Sequence, residues 1–163
     1  MTLAERCRRV ELLLLDVDGV LTEGGLEISS PGHEAKRFFV RDGSAIKRWL
    51  RAGKKLGLLS GRPSPATLAR AEELGIAAVI QEQAEKSQGL ARLLAQFKVT
   101  AEQTAMVGDD TPDVPVLTAC GLAVAVADGC AEVRRVAHYI TQAAGGRGAV
   151  REIIDLILRS QGK

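Results

Sequence analysis

Short apolar runs of strand length recur along the chain, and segments with helical patterns separate them. Such runs predict strands at 12–17, 55–60, 77–80, 104–108 and 122–126, with a sixth at 137–141. Apolar runs that alternate with helices are typical of parallel strands that helices cover on both faces. We therefore predict an α/β fold with a doubly wound, Rossmann-like parallel sheet.

Capping and stop signals predict the helices between these strands. Asp42 is the candidate N-cap of a first helix that ends at Gly53, and Ser64 precedes a second helix that closes at 74–75. Three more helices are predicted at 84–96, 113–119 and 149–159. Residues 20–41 interrupt the alternation with two short β-like pieces around "SSPG", which predicts a β-hairpin inserted after strand 1.

Length and composition limit the function classes. The 163 residues fit a single domain, 1–163, and the hairpin is too small to form a cap domain. A net charge of +2 and an aromatic content of 3% argue against nucleic-acid binding. The apolar run Leu12–Leu15 is too short for a signal peptide core or a membrane span. Three cysteines without C-x-x-C spacing indicate reduced thiols, so we expect a cytoplasmic protein without membrane partners.

Two carboxylates end the first predicted strand. Asp16 and Asp18 are two positions apart, so on an extended chain both side chains point the same way, towards the sheet edge where α/β proteins bind ligands. Gly19 then permits a tight turn. Two carboxylates in such a place repel each other unless a cation lies between them, and oxygen ligands favour Mg²⁺. The sequence therefore predicts a magnesium site.

Later strand ends add complementary groups. Ser60 follows the second strand, Lys86 begins the helix after the third, and the fourth strand is followed by Asp109, Asp110 and Asp113. Taken with "DVDGVLT" (16–22) and "GDDTPD" (108–113), this order resembles the four motifs of the haloacid dehalogenase superfamily of phosphotransferases. Further segments resemble one capless branch, the 3-deoxy-manno-octulosonate 8-phosphate phosphatases: "FFVRDG" (38–43), "AVAVADG" (123–129) and "AGGRGAVRE" (144–152).

The resemblance implies a role for each motif residue. Asp16 would be the nucleophile that carries a transient phosphoryl group, and Asp18 would be the general acid and base. Mg²⁺ would be held by Asp16, the main-chain carbonyl of Asp18, and Asp109. Ser60, Gly61 and Lys86 would bind the phosphate.

Asp110 and Asp113 would lie behind these groups, where they orient metal-bound water or Lys86. For Asp113, a plain helix cap before Pro115 is an equally good interpretation of the sequence.

The resemblance also implies a phosphorylated sugar acid as substrate and a homotetramer whose hairpins cover neighbouring sites. The implied substrate contacts, some of them across the interface, are Asp18, Phe39, Val40, Arg41, Asp42, Gly43, Lys47, Arg62, Arg70 and Lys86. Phe39 and Lys47 depart from the branch pattern, where a polar residue and an arginine are common.

These departures leave an alternative open, a phosphatase of nine-carbon, sialic-acid-type 9-phosphates. A noncatalytic, tetramerising partner of a sugar-nucleotide synthetase is the alternative from another class, although Asp16, Asp18 and Lys86 are all present. A phospho-receiver domain is set aside, because no aspartate follows the third strand at "VIQEQ" (79–83).

Overall fold

The computed structural model describes residues 1–30, 32–82 and 85–163. The strands are β1 (Leu12–Leu15), β2 (Glu27–Ser29), β3 (His33–Ala35), β4 (Lys55–Ser60), β5 (Ala78–Gln81), β6 (Thr104–Gly108), β7 (Leu122–Ala125) and β8 (Tyr139–Ile140). The α-helices are α1 (Leu3–Arg9), α2 (Val40–Arg51), α3 (Pro65–Leu74), α4 (Lys86–Phe97), α5 (Val114–Ala119), α6 (Ala131–Val136) and α7 (Ala149–Ser160). Short 3-10 helices at Ala101–Gln103 and Thr111–Asp113 precede β6 and α5.

A six-stranded parallel sheet forms the centre of the fold, in the order β5-β4-β1-β6-β7-β8. The predicted fold class and the six predicted strands are confirmed. After β1 the chain builds outward through β4 and β5, and then returns to add β6 on the other side of β1. The carboxyl end of β1 therefore lies at the switch point of the sheet, where open α/β folds bind ligands.

The four leucines of β1 alternate between two cores. Leu13 and Leu15 belong to the core that α1, α2, α3 and α7 cover. Leu12 and Leu14 belong to the core that α4, α5 and α6 cover. Each of the four is fully buried, which is worth about 1.5–3 kcal/mol per side chain. A strand that is apolar on both faces can therefore lie only at the centre of the sheet.

The predicted hairpin is present. β2 and β3 pair antiparallel, with Ile28 opposite Glu34. The "SSPG" turn includes residue 31, which lies outside the described residues. Leu26 and Ile28 are 50% and 64% exposed on this hairpin. Among the described residues there is no separate cap domain over the carboxyl edge of the sheet.

Some predicted boundaries differ. β1 ends at Leu15, so Asp16 is the first residue after the strand. The helix predicted at 84–96 spans Lys86–Phe97, and residue 84 lies outside the described residues. The helix predicted at 113–119 begins at Val114, because the 3-10 turn Thr111–Asp113 precedes it.

The prediction that Asp42 caps a helix is wrong. The helix α2 begins at Val40, and Phe39 occupies the N-cap position without a side-chain hydrogen bond. Asp42 lies in the first turn and is 1% exposed, and its Oδ1 accepts a hydrogen bond from the Arg151 N–H at 2.8 Å. The carboxylate of Asp42 therefore accepts a hydrogen bond from a main-chain N–H group in the first turn of α7, instead of capping α2.

The helices α1 and α6 lie outside the predicted elements, since each is shorter than the window that reveals helical periodicity. None of the helices formed by the described residues is long and apolar enough to cross a membrane.

Candidate active site

Asp16 lies directly after β1, on the side of the sheet that α4 covers. One of its oxygens, Oδ1, accepts a hydrogen bond from the Val17 N–H at 2.7 Å. The other, Oδ2, is 3.0 Å from the ammonium group of Lys86 at the first turn of α4. Lys86 thus places a positive charge beside the predicted nucleophile.

Asp113 forms the second contact of Lys86, with 2.6 Å between Lys86 Nζ and Asp113 Oδ1. The second carboxylate oxygen of Asp113 accepts hydrogen bonds from the main-chain N–H groups of Asp109 at 3.0 Å and Asp110 at 3.4 Å. The side chain is fully buried. Asp113 therefore contacts both Lys86 and the turn after β6. No side-chain cap of α5 by Asp113 is formed.

Three carboxylates converge beside Lys86. One oxygen from each of Asp16, Asp109 and Asp113 lies within 4.8 Å of the other two. Burial, together with the charge of Asp113, raises the pKa of Asp16 to about 8 and that of Asp109 to about 6. Among the described residues, no group hydrogen-bonds the buried Oδ1 of Asp109. Clustered oxygens with raised pKa values and an unpaired buried acceptor fit a hard divalent cation.

Gly19 makes this close arrangement possible. Its φ of +86° is readily adopted only by glycine, and a Cβ here would lie 2.0 Å from Asp109 Oδ2. The turn after β1 therefore packs directly against the carboxylate of Asp109.

A cavity of about 350 Å³ opens over these groups. It is lined by Asp16, Asp18, Gly24, Ser60, Gly61, Arg62, Lys86, Asp109, Asp110, Pro112 and Asp113. All the predicted catalytic, phosphate-binding and metal-binding residues thus meet in one place, although they come from four separate strand ends or helix starts.

The Ser60–Arg62 turn forms one wall of the cavity. Ser60 is 2% exposed, and its Oγ accepts a hydrogen bond from the Arg62 N–H at 3.2 Å. Gly61 lies beside the stem of Lys86, since a Cβ at Gly61 would be 3.9 Å from Lys86 Cε. Asp110, at the opposite wall, is exposed and accepts a hydrogen bond from the Thr111 N–H at 2.8 Å.

Most of the other predicted substrate contacts lie elsewhere in this single chain. The residues Phe39, Val40, Arg41, Asp42 and Gly43 do not line the cavity. Lys47 lines an open depression between α2 and α3 instead. Arg70 pairs with Glu73 at 2.6 Å and lies over the Phe38 ring, 5.7 Å from its centroid. Of the predicted cations outside the motifs, only Arg62 lines the cavity among the described residues.

Lys36 and Glu34, which sequence reasoning missed, connect two residues that line the cavity, Asp18 and Arg62. The Lys36 side chain is 1% exposed and forms an ion pair with Asp18. Its Nζ is also 3.3 Å from Glu34 Oε1, and Glu34 pairs in turn with Arg62. No sequence spacing predicts these pairs, because the hairpin must first fold back over the end of β1.

Comparison with known proteins identifies the family. The family described as haloacid dehalogenase-like hydrolase matches residues 72–154. The 3-deoxy-D-manno-octulosonate 8-phosphate phosphatase KdsC of Haemophilus influenzae is 41% identical over 159 residues, which cover 98% of this chain and 88% of that protein. The enzyme of the same name from Salmonella typhi is 43% identical over 163 residues, which cover 100% of this chain and 85% of that protein. This chain belongs to the KdsC phosphatase family.

Solved structures of KdsC phosphatases share the fold throughout. The enzyme from Yersinia pestis superposes with a TM-score of 0.96 at 41% identity, covering 98% of this chain and 86% of that one. The enzyme from Moraxella catarrhalis, solved with a magnesium ion, a phosphate ion and a KDO molecule, has a TM-score of 0.95 at 36% identity. That comparison covers 98% of this chain and 91% of that one. A KdsC phosphatase can therefore hold, in this fold, a cation of the kind that the Asp16 cluster fits.

Proposed function

We propose that this protein hydrolyses 3-deoxy-D-manno-octulosonate 8-phosphate to the free sugar acid and phosphate, a step in the synthesis of lipopolysaccharide precursors. The convergence of Asp16, Lys86, Asp109 and Asp113 in one cavity carries the proposal, because it supplies a nucleophile, charge neutralisation and a cation site together. Identity of 41–43% with KdsC phosphatases over nearly the whole chain supports the choice of substrate.

In the proposed reaction, a carboxylate oxygen of Asp16 attacks phosphorus while the bond from phosphorus to the sugar oxygen breaks. Asp18 gives its proton to the departing oxygen. The same carboxylate then takes a proton from the water that hydrolyses the aspartyl-phosphate and restores Asp16. Asp18 loses a proton in the first step and regains one in the second, so the proton count of the enzyme is unchanged after one turnover.

The phosphate would be bound by Ser60, by the turn at Gly61 and by Lys86. The ammonium of Lys86 lies near Asp16, so it offsets the negative charge that the incoming phosphoryl group brings. Mg²⁺ would be held by Asp16, the main-chain carbonyl of Asp18, and Asp109, and when bound it neutralises charge on the phosphoryl oxygens. Asp113 and Asp110 would keep Lys86 and the Asp109 turn in place.

The decisive experiment is phosphate release from a panel of sugar phosphates, with Mg²⁺ and with chelator. We expect 3-deoxy-D-manno-octulosonate 8-phosphate to be the best substrate, and Asp16→Asn to abolish turnover while the protein stays folded. Preference for nine-carbon, sialic-acid-type 9-phosphates would reassign the substrate. Equal turnover by Asp16→Asn and wild type would refute the mechanism, and no turnover of any ester would favour a noncatalytic partner role.

We further propose that the protein is a cytoplasmic homotetramer in which the hairpins of neighbouring subunits pack together. Leu26 and Ile28 support this arrangement, since both are large apolar side chains left exposed on β2 or beside it. Of the other apolar residues of the segment, Leu21 is buried in its own core and Phe38 packs against that core. Substrate contacts by Lys47, Arg70, Phe39, Val40, Arg41 and Gly43 would then come from a neighbouring subunit, whereas Asp42 is buried within its own subunit.

The double variant Leu26→Asp/Ile28→Asp tests the assembly. We expect smaller particles in sedimentation and weaker sugar-phosphate turnover, because buried charge opposes hairpin packing. Leu68→Asp is the matched control, since Leu68 is an apolar side chain that is 52% exposed on α3 and is not part of the hairpin. A double variant that remains tetrameric would refute hairpin-mediated assembly.

A further inference from the structure

Lys36 is unusual because its charged side chain is buried in a segment that connects the hairpin to a helix. It follows β3 in the segment that returns from the hairpin to α2, yet its side chain is only 1% exposed. Charged side chains are almost never buried this completely unless partners compensate them. Its two partners are the carboxylates of Asp18 and Glu34.

Two lysines pair with three of the acidic groups of the site. Lys86 contacts Asp16 and Asp113, whereas Lys36 contacts Asp18. Asp18 lines the cavity, whereas Lys36 is not among the described residues that line it. It is therefore poorly placed to bind phosphate itself and well placed to hold the Asp18 carboxyl group.

Glu34 in turn holds Lys36 in place. Glu34 Oε1 lies 3.3 Å from Lys36 Nζ, while the other carboxylate oxygen of Glu34 pairs with Arg62 on the wall of the cavity. An ion-pair chain thus runs from Asp18 through Lys36 and Glu34 to Arg62. Since Lys36 and Glu34 come from the hairpin segment, this chain ties the orientation of Asp18 to the position of the hairpin.

We propose that Lys36 is a positioning residue for proton transfer by Asp18, an inference that rests on the proposed role of Asp18. The Lys36 ammonium holds Asp18 Oδ1, which leaves Oδ2 as the oxygen that exchanges a proton with the leaving group. Without this contact the Asp18 carboxyl group samples other rotamers, and proton transfer loses its geometry.

Comparison of two leaving groups tests the proposal. A sugar oxygen must be protonated as it departs, but p-nitrophenolate leaves without a proton. In single-turnover experiments we expect Lys36→Met to slow the cleavage of a sugar phosphate by about tenfold or more. We expect the burst of p-nitrophenol from p-nitrophenyl phosphate to change by no more than about twofold. Lys36→Arg, which keeps the ion pair, should recover part of the loss.

The control is Arg37→Met. Arg37 is adjacent in sequence but 80% exposed, with a long 3.9 Å contact to Glu23, so both rates should stay at the wild-type level. If Lys36→Met fails to fold, Glu34→Gln replaces it, because this variant loosens the anchor of Lys36 and should slow the sugar ester selectively. Equal slowing of both esters, or no slowing of either, would overturn the proposal.

Asp18→Asn separates this proposal from the function on which it rests. If Asp18→Asn slows the sugar ester selectively but Lys36→Met does not, only the role of Lys36 is wrong. If Asp18→Asn does not discriminate between the esters, Asp18 is not the general acid, and the role of Lys36 falls with it. If wild type cleaves neither ester, the proposed phosphatase function itself is refuted.

Discussion

The α-carbon of Gly19 packs against the carboxylate of Asp109, so closely that a Cβ at Gly19 would lie 2.0 Å from Asp109 Oδ2. The turn after β1 and the turn after β6 therefore meet through the Asp109 side chain, with no room for a side chain at position 19. This contact brings the acids of "DVDGVLT" (16–22) close to those of "GDDTPD" (108–113). It also explains why the residue after Asp18 is glycine.

We expect Gly19→Ala to lose activity by about a hundredfold or more, because the new Cβ must displace a group of the cation site and the backbone at φ +86° is strained. Phosphate release and the thermal midpoint measure the effect. Gly25→Ala is the control, since no described residue lies within 4 Å of the Cβ that it adds. Wild-type activity in Gly19→Ala would contradict the close packing.

The free energy of unfolding of the metal-free protein should fall as pH rises from about 4 to about 8. The pKa values of Asp16 and Asp109 are raised to about 8 and about 6, from 3.8 when exposed. In this window the folded state keeps protons that the unfolded state has released, so a higher pH favours unfolding. Asp42, with a pKa raised to about 6 by burial, adds to the same trend.

Chemical denaturation with chelator at several pH values from 5 to 8 measures this dependence. Asp16→Asn should flatten its upper part, between pH 6 and 8, and should be more stable than wild type at pH 8. Added Mg²⁺ should restore wild-type stability at pH 8, because a bound cation favours the ionised carboxylates. Stability that increases from pH 5 to pH 8 in chelator would contradict the clustered, desolvated acids.

Lys86→Met should impair both stability and activity. The substitution leaves Asp16 and the fully buried Asp113 without their cation, which costs about 3 kcal/mol of unfolding free energy. The phosphate also loses a charged donor, so we expect turnover to fall by about a hundredfold or more. Denaturant titration and phosphate release are the two measurements.

The matched control for Lys86→Met is Arg92→Met on the same helix. The Arg92 side chain is 59% exposed and pairs with Glu82 at the surface, so its loss should change stability by less than about 1 kcal/mol and leave turnover intact. Similar losses in both variants would mean that Lys86 acts only through the stability of α4.

Asp42→Ala distinguishes a structural role from substrate binding. The carboxylate of Asp42 is buried against the Arg151 N–H at the start of α7. Its removal should lower the unfolding free energy by about 1–2 kcal/mol and leave KM for the sugar phosphate unchanged. Arg41→Ala, at the exposed neighbouring position, is the stability control. A raised KM with unchanged stability would restore the predicted substrate contact.

The sequence predicts the sheet well because each strand is marked by its own short apolar run. The leucines at 12–15 give their strand two apolar faces, and only a central strand buries both faces at once. The capping box formed by Thr2 and Glu5 is also a local signal, and it would have revealed α1. The helix α6, by contrast, has six residues and no side-chain cap, so little in its sequence distinguishes it from a loop.

Contacts between residues far apart in the sequence are not predicted by such local signals. Asp42 has the sequence position of a helix cap but turns inward to α7, where its buried carboxylate accepts a hydrogen bond from the Arg151 N–H. Lys36 meets Asp18 only because the hairpin folds back over the end of β1. Neither contact has a spacing that a linear pattern can indicate.

The order of motifs along the chain was thus enough to determine the α/β class, the edge of the sheet that carries the site, and the acidic, hydroxyl and lysine groups gathered there. Those properties depend on residue type and short-range periodicity, which a sequence records directly. Only the tertiary structure decided which lysine faces which carboxylate, and which of the expected substrate contacts share a cavity within one chain. Pairing between residues far apart in sequence is set by how helices and the hairpin pack on the sheet, and packing depends on shape and burial across the whole molecule.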